Sequence, residues 1–219
     1  ALAGANADRV TVVHEAAGPA FRPCPPRAVA EAKSRYGIIG DYILFVGTIE
    51  PRKNIPFLLQ AYARMRQGWP KGIDVPCLVL AGKKGWLYES IFSVREELAL
   101  GDSVVCTGGI AVEDLPALYT GALCFVLPSL YEGFGLPVLE AMSCGKPLFL
   151  SDRTALPEIG GDVSFYFHDF NAEHVQQVFH DGMELYNANG LRKKIKERSY
   201  NFNWHKAARE YLDVYRSLY

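Results

Sequence analysis

The chain has 219 residues, 49% of them apolar, with 23 basic and 24 acidic side chains and a net charge of −1. That length holds one large or two small domains, and the balanced charge argues against nucleic acid or an anionic membrane as the main partner. No apolar run nears the roughly 20 residues of a spanning helix; no secretory leader is evident, and five cysteines without a CxxC pair or framework spacing suit a reduced, cytoplasmic protein.

Residues 1–40, rich in Ala and Pro, read as a lead-in segment with a weak strand at 9–14 and one helix. Its Ala-Leu-Ala-Gly-Ala-Asn-Ala opening, without an initiator methionine, suggests a piece of a longer protein. Continuous β-rich apolar runs follow at 42–47, 77–82, 103–107, 123–128 and 147–151, with a weaker one at 164–167. Unbroken apolar strands are expected when helices cover both faces of a sheet. Helical segments fall between them: from a cap at Asn54 through Ile55, Leu58, Leu59, Tyr62 and Met65, then near 88–100, 112–121 and 137–144. The last third reads as helices at 172–187, 191–199 and 203–218. Alternating strand and helix predicts a single α/β domain, 1–219, built as a Rossmann-like parallel sheet with helices on both faces. Right-handed crossovers would place the loops that follow the strands along one edge, where such sheets bind ligands.

Every conspicuous polar cluster follows a predicted strand. These are Thr48-Ile49-Glu50-Pro51-Arg52-Lys53-Asn54, Lys83-Lys84-Gly85-Trp86, Gly108-Gly109-Ile110, and the segment from Ser129 to Cys144 that carries Glu132 and Glu140 around Gly133 and Gly135. The glycine turn opens a helix whose first amides attract anions, and the carboxylates can pair with sugar hydroxyls. A nucleotide sugar offers both groups. Arg52 and Lys53 stand before a helix N-terminus, where cations are unfavourable unless an anion is bound. Together with Lys83 and Lys84 they predict a local positive site for a diphosphate. Trp86 could stack on a base or simply anchor its loop. The five histidines show no metal-ligand spacing, and no dinucleotide glycine fingerprint, P-loop or Asp-x-Asp is present. No metal site is expected; Arg and Lys would neutralise the diphosphate instead.

The two-glutamate segment, with Val-Gly-Thr-Ile-Glu-Pro-Arg-Lys-Asn and Leu-Ala-Gly-Lys-Lys-Gly-Trp upstream, resembles the C-terminal half of family 4 (group 1) retaining glycosyltransferases. The likeness runs from about Asp8 to the end. It implies the donor-binding half of a GT-B enzyme, whose other Rossmann-like domain holds most of the acceptor site. By that resemblance Glu140 would accept from the ribose hydroxyls, and Glu132 would contact hydroxyls of the transferred hexose. The amides of Phe134, Gly135 and Leu136 would meet the diphosphate with Lys53, while Gly109 and Ile110 would lie near the base. The family often carries arginine directly after the glycine at Gly47; Thr48 stands there instead, with Arg52 as its substitute. Gly47, Thr48 and Lys83 complete the expected donor contacts.

The resemblance implies transfer with retained configuration, assisted by stabilising charge on the leaving diphosphate. GDP-mannose is the first expectation for the donor and a UDP-hexose the second, with a saccharide or lipid-linked acceptor. The helix at 203–219 would face the absent N-terminal domain, so the chain alone would bind donor nucleotide and turn over little. Such an enzyme would be cytoplasmic, or peripheral at the inner membrane face. The alternatives are a non-catalytic nucleotide-binding module, a sugar-nucleotide epimerase, a phosphorylase-like enzyme needing a pyridoxal-binding lysine, and a purely structural α/β domain.

Overall fold

The computed structural model describes residues 6, 9–188 and 190–218. Its centre is a sheet of six parallel strands: β1 (Tyr42–Val46), β2 (Cys77–Ala81), β3 (Val104–Gly108), β4 (Cys124–Leu127), β5 (Leu148–Ser151) and β6 (Phe165–Phe167). Their order across the sheet is β3-β2-β1-β4-β5-β6. Residues at the strand centres, such as Leu44, Leu78, Phe125 and Leu150, are fully buried. Both sheet faces are therefore covered, which is why these strands read as unbroken apolar runs.

The helices are α1 (Pro26–Arg35), α2 (Ile55–Gln67), α3 (Glu89–Glu97), α4 (Leu115–Gly121), α5 (Leu136–Ser143), α6 (Leu156–Gly160), α7 (Ala172–Ala188), α8 (Leu191–Ser199) and α9 (Trp204–Arg216). They pack in two rows. One row joins α3, α2 and α7; the other joins α1, α4, α5 and α8, with α6 against α5. In α2 the expected apolar stripe of Ile55, Leu58, Leu59, Tyr62 and Met65 is buried.

The structure corrects three local expectations. Residues 9–14 form no strand: Val12 is 68% exposed, and no ladder partner lies beside the segment. The expected helix of the lead-in segment is present as α1, while the start of the resemblance at Asp8 lies outside the described residues. Asn54 precedes α2 in a left-handed conformation, φ 53°, and its side chain caps nothing; Pro56 in the first turn needs no capping partner for its missing N–H. Finally, α6 follows β5 where no helix was expected, and all five cysteines are free.

Chain order reverses between β1 and β4. The loop after β1 leads left through α2 to β2, whereas the loop after β4 leads right through α5 to β5. The crevice between those two loops is the position where open parallel sheets bind ligands. The loops after β1 and β2 are themselves knitted together. Ile49 N–H donates to the Lys83 carbonyl, and Gly85 N–H to the Ile49 carbonyl, both at 2.9 Å. A Cβ at Gly82 would overlap the Gly47 carbonyl oxygen, so only glycine permits this approach. Gly82→Ala should push the two loops apart and cost about 1–3 kcal/mol of stability, read as a lower urea midpoint. An unchanged midpoint would mean that the loops do not touch in solution.

Candidate functional site

Lys53 ends the loop after β1 in a single 3-10 turn, Pro51–Lys53, and is only 4% exposed. Glu132 lies in the loop after β4 and is 7% exposed. Lys53 Nζ donates to Glu132 Oε1 at 2.6 Å, and Ser129 Oγ donates to the same oxygen at 2.6 Å. Arg52 Nη1 donates to Glu132 Oε2 at 3.0 Å and to the Tyr131 carbonyl at 3.1 Å. The Leu130 N–H closes the crevice by donating to the Arg52 carbonyl at 2.8 Å.

Burial pushes the Glu132 carboxyl up, but hydrogen bonds from Lys53 and Ser129 and the Lys53 charge outweigh it and hold the group below its ordinary value. Glu132 is thus an anion at neutral pH. A carboxylate has about four acceptor positions; Lys53, Ser129 and Arg52 use three, and one on Oε2 remains.

The expected positive patch is not formed by Arg52 and Lys53 alone. Arg52 Nε also sits 2.5 Å from Glu50 Oε1, an ion contact without hydrogen-bond geometry, since that buried oxygen has no hydrogen-bond partner. Two cations therefore face two carboxylates, and the cluster is close to neutral. Lys83 has no ion-pair partner among the described residues, and its stem lies along Gly109, whose Cβ position is 3.1 Å from Lys83 Cγ. Lys84 is occupied differently, with Nζ 4.7 Å from the Tyr88 ring centre and 5.0 Å from that of Phe92.

The glycine turn behaves as its sequence predicts. Gly135 precedes α5 at φ 111°, in space left open to glycine, and Leu136 begins the helix with Pro137 in its first turn. No side chain caps this end; Pro137 has no N–H and the Val138 N–H donates to the Gly135 carbonyl at 2.9 Å, while among the described residues the amides of Phe134, Gly135 and Leu136 have no main-chain partner and make the end attractive to an anion. Glu140 sits one turn in and does not touch Glu132. Tyr119 of α4 donates its hydroxyl to Glu140 Oε2 at 2.7 Å, leaving Oε1 for another donor. Burial raises the Glu140 carboxyl above its ordinary value, and the Tyr119 bond only partly offsets this.

Of the residues singled out in the sequence, Glu132, Lys53 and Arg52 meet directly, and Gly47 flanks the Lys53 stem, with its Cβ position 3.4 Å from Lys53 Cε. Thr48 is exposed on the same rim, as is Trp86. Ile110 is half-buried against the core. The Phe134 ring packs near His14 and Phe202, at 6.0 and 6.3 Å between ring centres. Sequence reasoning missed Ser129, Tyr119 and Glu50, which complete the pairings. Ser129 alone carried a signal, three residues before Glu132 and directly after the strand. Among the described residues no cluster of His, Cys, Asp or Glu could hold a metal, and no helix is long and apolar enough to cross a membrane.

Comparison with known proteins follows the same lines. A family profile described as "Glycosyl transferases group 1" matches residues 39–202. The O-antigen chain mannosyltransferase B of Escherichia coli is 34% identical over 223 residues, covering 97% of this chain and 55% of that relative. The serotype-specific mannosyltransferase WbdA of Escherichia coli is 36% identical over 179 residues, covering 78% of this chain and 21% of that relative. The chain thus spans about half or less of the curated relatives it matches. Among solved structures, Anabaena Alr3699/HepE in complex with UDP and glucose superposes with a TM-score of 0.81 at 18% identity, over 99% of this chain and 58% of that one; that likeness shows the fold. With a profile match over three quarters of its length, the chain belongs to the group 1 glycosyltransferases.

Proposed function

We propose that the chain is the donor-binding half of a retaining hexosyltransferase that carries mannose from GDP-mannose to a saccharide or lipid-linked acceptor. One observation carries this reading. The reversal of chain order at β1 and β4 sets Lys53 and Arg52 against Glu132, beside the open N-terminus of α5 and Glu140. Relatives named as mannosyltransferases support the choice of sugar.

In this reading the diphosphate lies between the α5 end, with the amides of Phe134, Gly135 and Leu136, and the Lys53 and Arg52 side chains. Glu140 Oε1 takes a ribose hydroxyl, and Gly47, Thr48, Lys83, Gly109 and Ile110 border the nucleotide. As the bond from the anomeric carbon to the diphosphate breaks, its electron pair stays on the leaving oxygen, and the nearby cations and amides stabilise that charge. The acceptor hydroxyl oxygen forms the new bond to the anomeric carbon on the face the diphosphate leaves, and its proton passes to the departing phosphate, so no base on this chain is required. The diphosphate competes with Glu132 for Lys53 and Arg52, and each bond it takes frees an acceptor position on Glu132 for a sugar hydroxyl. The acceptor site lies on a further domain faced by α9, and a lipid-linked acceptor would hold the protein peripherally at the inner membrane face. A UDP-hexose donor is the second reading, favoured by the fold neighbour solved with UDP and glucose.

Calorimetric titration of GDP, UDP and ADP without divalent metal tests the donor. GDP should bind with micromolar to low-millimolar affinity, and Glu140→Gln should weaken it roughly 10–100-fold, the worth of a hydrogen bond to a charged group. Tight binding of UDP alone would install the second reading, and no binding of any nucleotide would sink both. Burial disfavours ionised Glu140 in the fold, a penalty present at neutral pH and relieved at low pH. Glu140→Gln should therefore also raise the melting temperature at pH 7 while it weakens binding.

The Lys53–Glu132 pair predicts a different pH dependence. Removing one partner of a buried pair strands the other charge, so Lys53→Met or Glu132→Gln should cost about 3–5 kcal/mol at pH 7. The contribution of Glu132, whose folded value is lowered, is present above the ordinary carboxylate value of about 4.3 and is lost as pH falls through the lowered one. The gap between wild type and Glu132→Gln in urea unfolding should accordingly narrow in acid. A gap that widened there would contradict the ion pair.

A further inference from the structure

Among the described residues, four other than glycine hold a positive φ: Asn54, Leu87, Ala99 and Thr154. Asparagine adopts this region readily, but a β-branched threonine there is an outlier that needs a reason. Thr154 lies in the loop between β5 and α6 at φ 51°, and it is exposed. Core packing does not explain it. Its hydroxyl does.

Thr154 Oγ1 accepts from the Glu132 N–H at 2.9 Å and donates to the Glu132 carbonyl at 3.0 Å. Neither of those groups has a main-chain partner among the described residues. One side-chain oxygen therefore satisfies both main-chain polar groups of the residue at the centre of the crevice. Tyr131 and Gly133, on either side, are exposed; Arg52 Nη1 holds the Tyr131 carbonyl at 3.1 Å, and the Thr154 hydroxyl alone holds the N–H and carbonyl of Glu132 itself. We infer that Thr154 is a positioning residue: its hydroxyl clamps the main chain at Glu132 and so, together with the Lys53, Ser129 and Arg52 bonds to the carboxylate itself, sets where that carboxylate points. The inference rests on the proposed contact of Glu132 with the transferred sugar.

The rest of the segment supports the same wall. Leu156 Cδ2 lies 3.2 Å from the Cβ position of Gly135. Glu158 Oε1 is 2.6 Å from His14 Nε2, and the His14 ring packs near Phe134. Those contacts are steric or peripheral; the clamp is what requires a hydroxyl at this position. Glycine would occupy the left-handed conformation without strain, and the strain persists because glycine has no hydroxyl.

The test uses Thr154→Ser, Thr154→Val and Thr154→Gly in the full-length protein. Three quantities are read: hydrogen exchange of the Glu132 amide, kcat and KM for the nucleotide sugar, and affinity for the nucleoside diphosphate alone. Val and Gly should lower protection at the Glu132 amide about tenfold or more and kcat roughly 10–100-fold, as small misplacements of a substrate-contacting group do. Affinity for the diphosphate, which lacks the sugar, should stay within about twofold. Serine should restore exchange and turnover. Gly, freed of the left-handed strain, should melt above Val, and an equal loss of turnover in the two would separate lost positioning from lost stability. Unchanged amide protection, or wild-type kcat in Val or Gly, would overturn the inference. A wild-type protein that turned over no nucleotide sugar would overturn the transferase reading instead, and the exchange measurement, which needs no substrate, would still decide the clamp.

Discussion

The bond between Lys53 and Glu132 is the constraint from which the site follows. Each side chain is nearly removed from water, and an isolated buried charge costs several kcal/mol. Neither is tolerable without the other. One comes from the loop after β1 and the other from the loop after β4, so the pair locks the two sides of the crevice across 79 residues of sequence. Ser129 and Arg52 then occupy further positions on the same carboxylate, which leaves Glu132 ionised and held in one direction. Such a pair adds little net stability over an apolar alternative; its effect is to specify where charge sits.

Around that pair one side of the rim is tied to itself and the other keeps hydrogen-bonding positions without partners. The β1 and β2 loops are bonded to each other as a continuation of their ladder, and the Gly82–Gly47 approach leaves them no slack. The amides of Phe134, Gly135 and Leu136, one oxygen of Glu140 and one position on Glu132 stay available on the other side. The opposed pKa displacements of the two glutamates express this division. Cations and a hydroxyl surround Glu132 and favour its charge, whereas Glu140 has only a phenol for company and burial disfavours its charge. A carboxylate of the second kind gains most from new hydroxyl donors.

Much of this was legible in the sequence. The strands β1 to β5 appear as unbroken apolar runs because both their faces are buried, and the polar clusters that follow them mark the edge where the loops gather. The short β-rich run at residues 9–14 misled, because an exposed extended segment and an edge strand share the same residue types until a partner is present or missing. Helix α6, five residues long, carries too little periodicity to be read. The cap expected at Asn54 failed because its backbone turned left-handed. Glu132, Lys53 and Arg52 could be singled out, but their mutual pairing could not, and the near neutrality of the cluster ran against the positive patch expected from counting cations. Thr154 and Tyr119 act through contacts set by tertiary folding, 22 and 21 residues apart in sequence from their partners, which no local pattern encodes.

Helix α9 carries a consequence of another kind. Ala207 is its one buried residue, while Trp204, Tyr211 and Tyr215 fall along one stripe and all stand exposed. A strip of aromatic surface on a helix so lightly attached favours association with any apolar surface. The α9 stripe therefore adds to the tendency of this chain to self-associate or to stick to surfaces in handling, and none of its residues bonds to the Lys53–Glu132 pair.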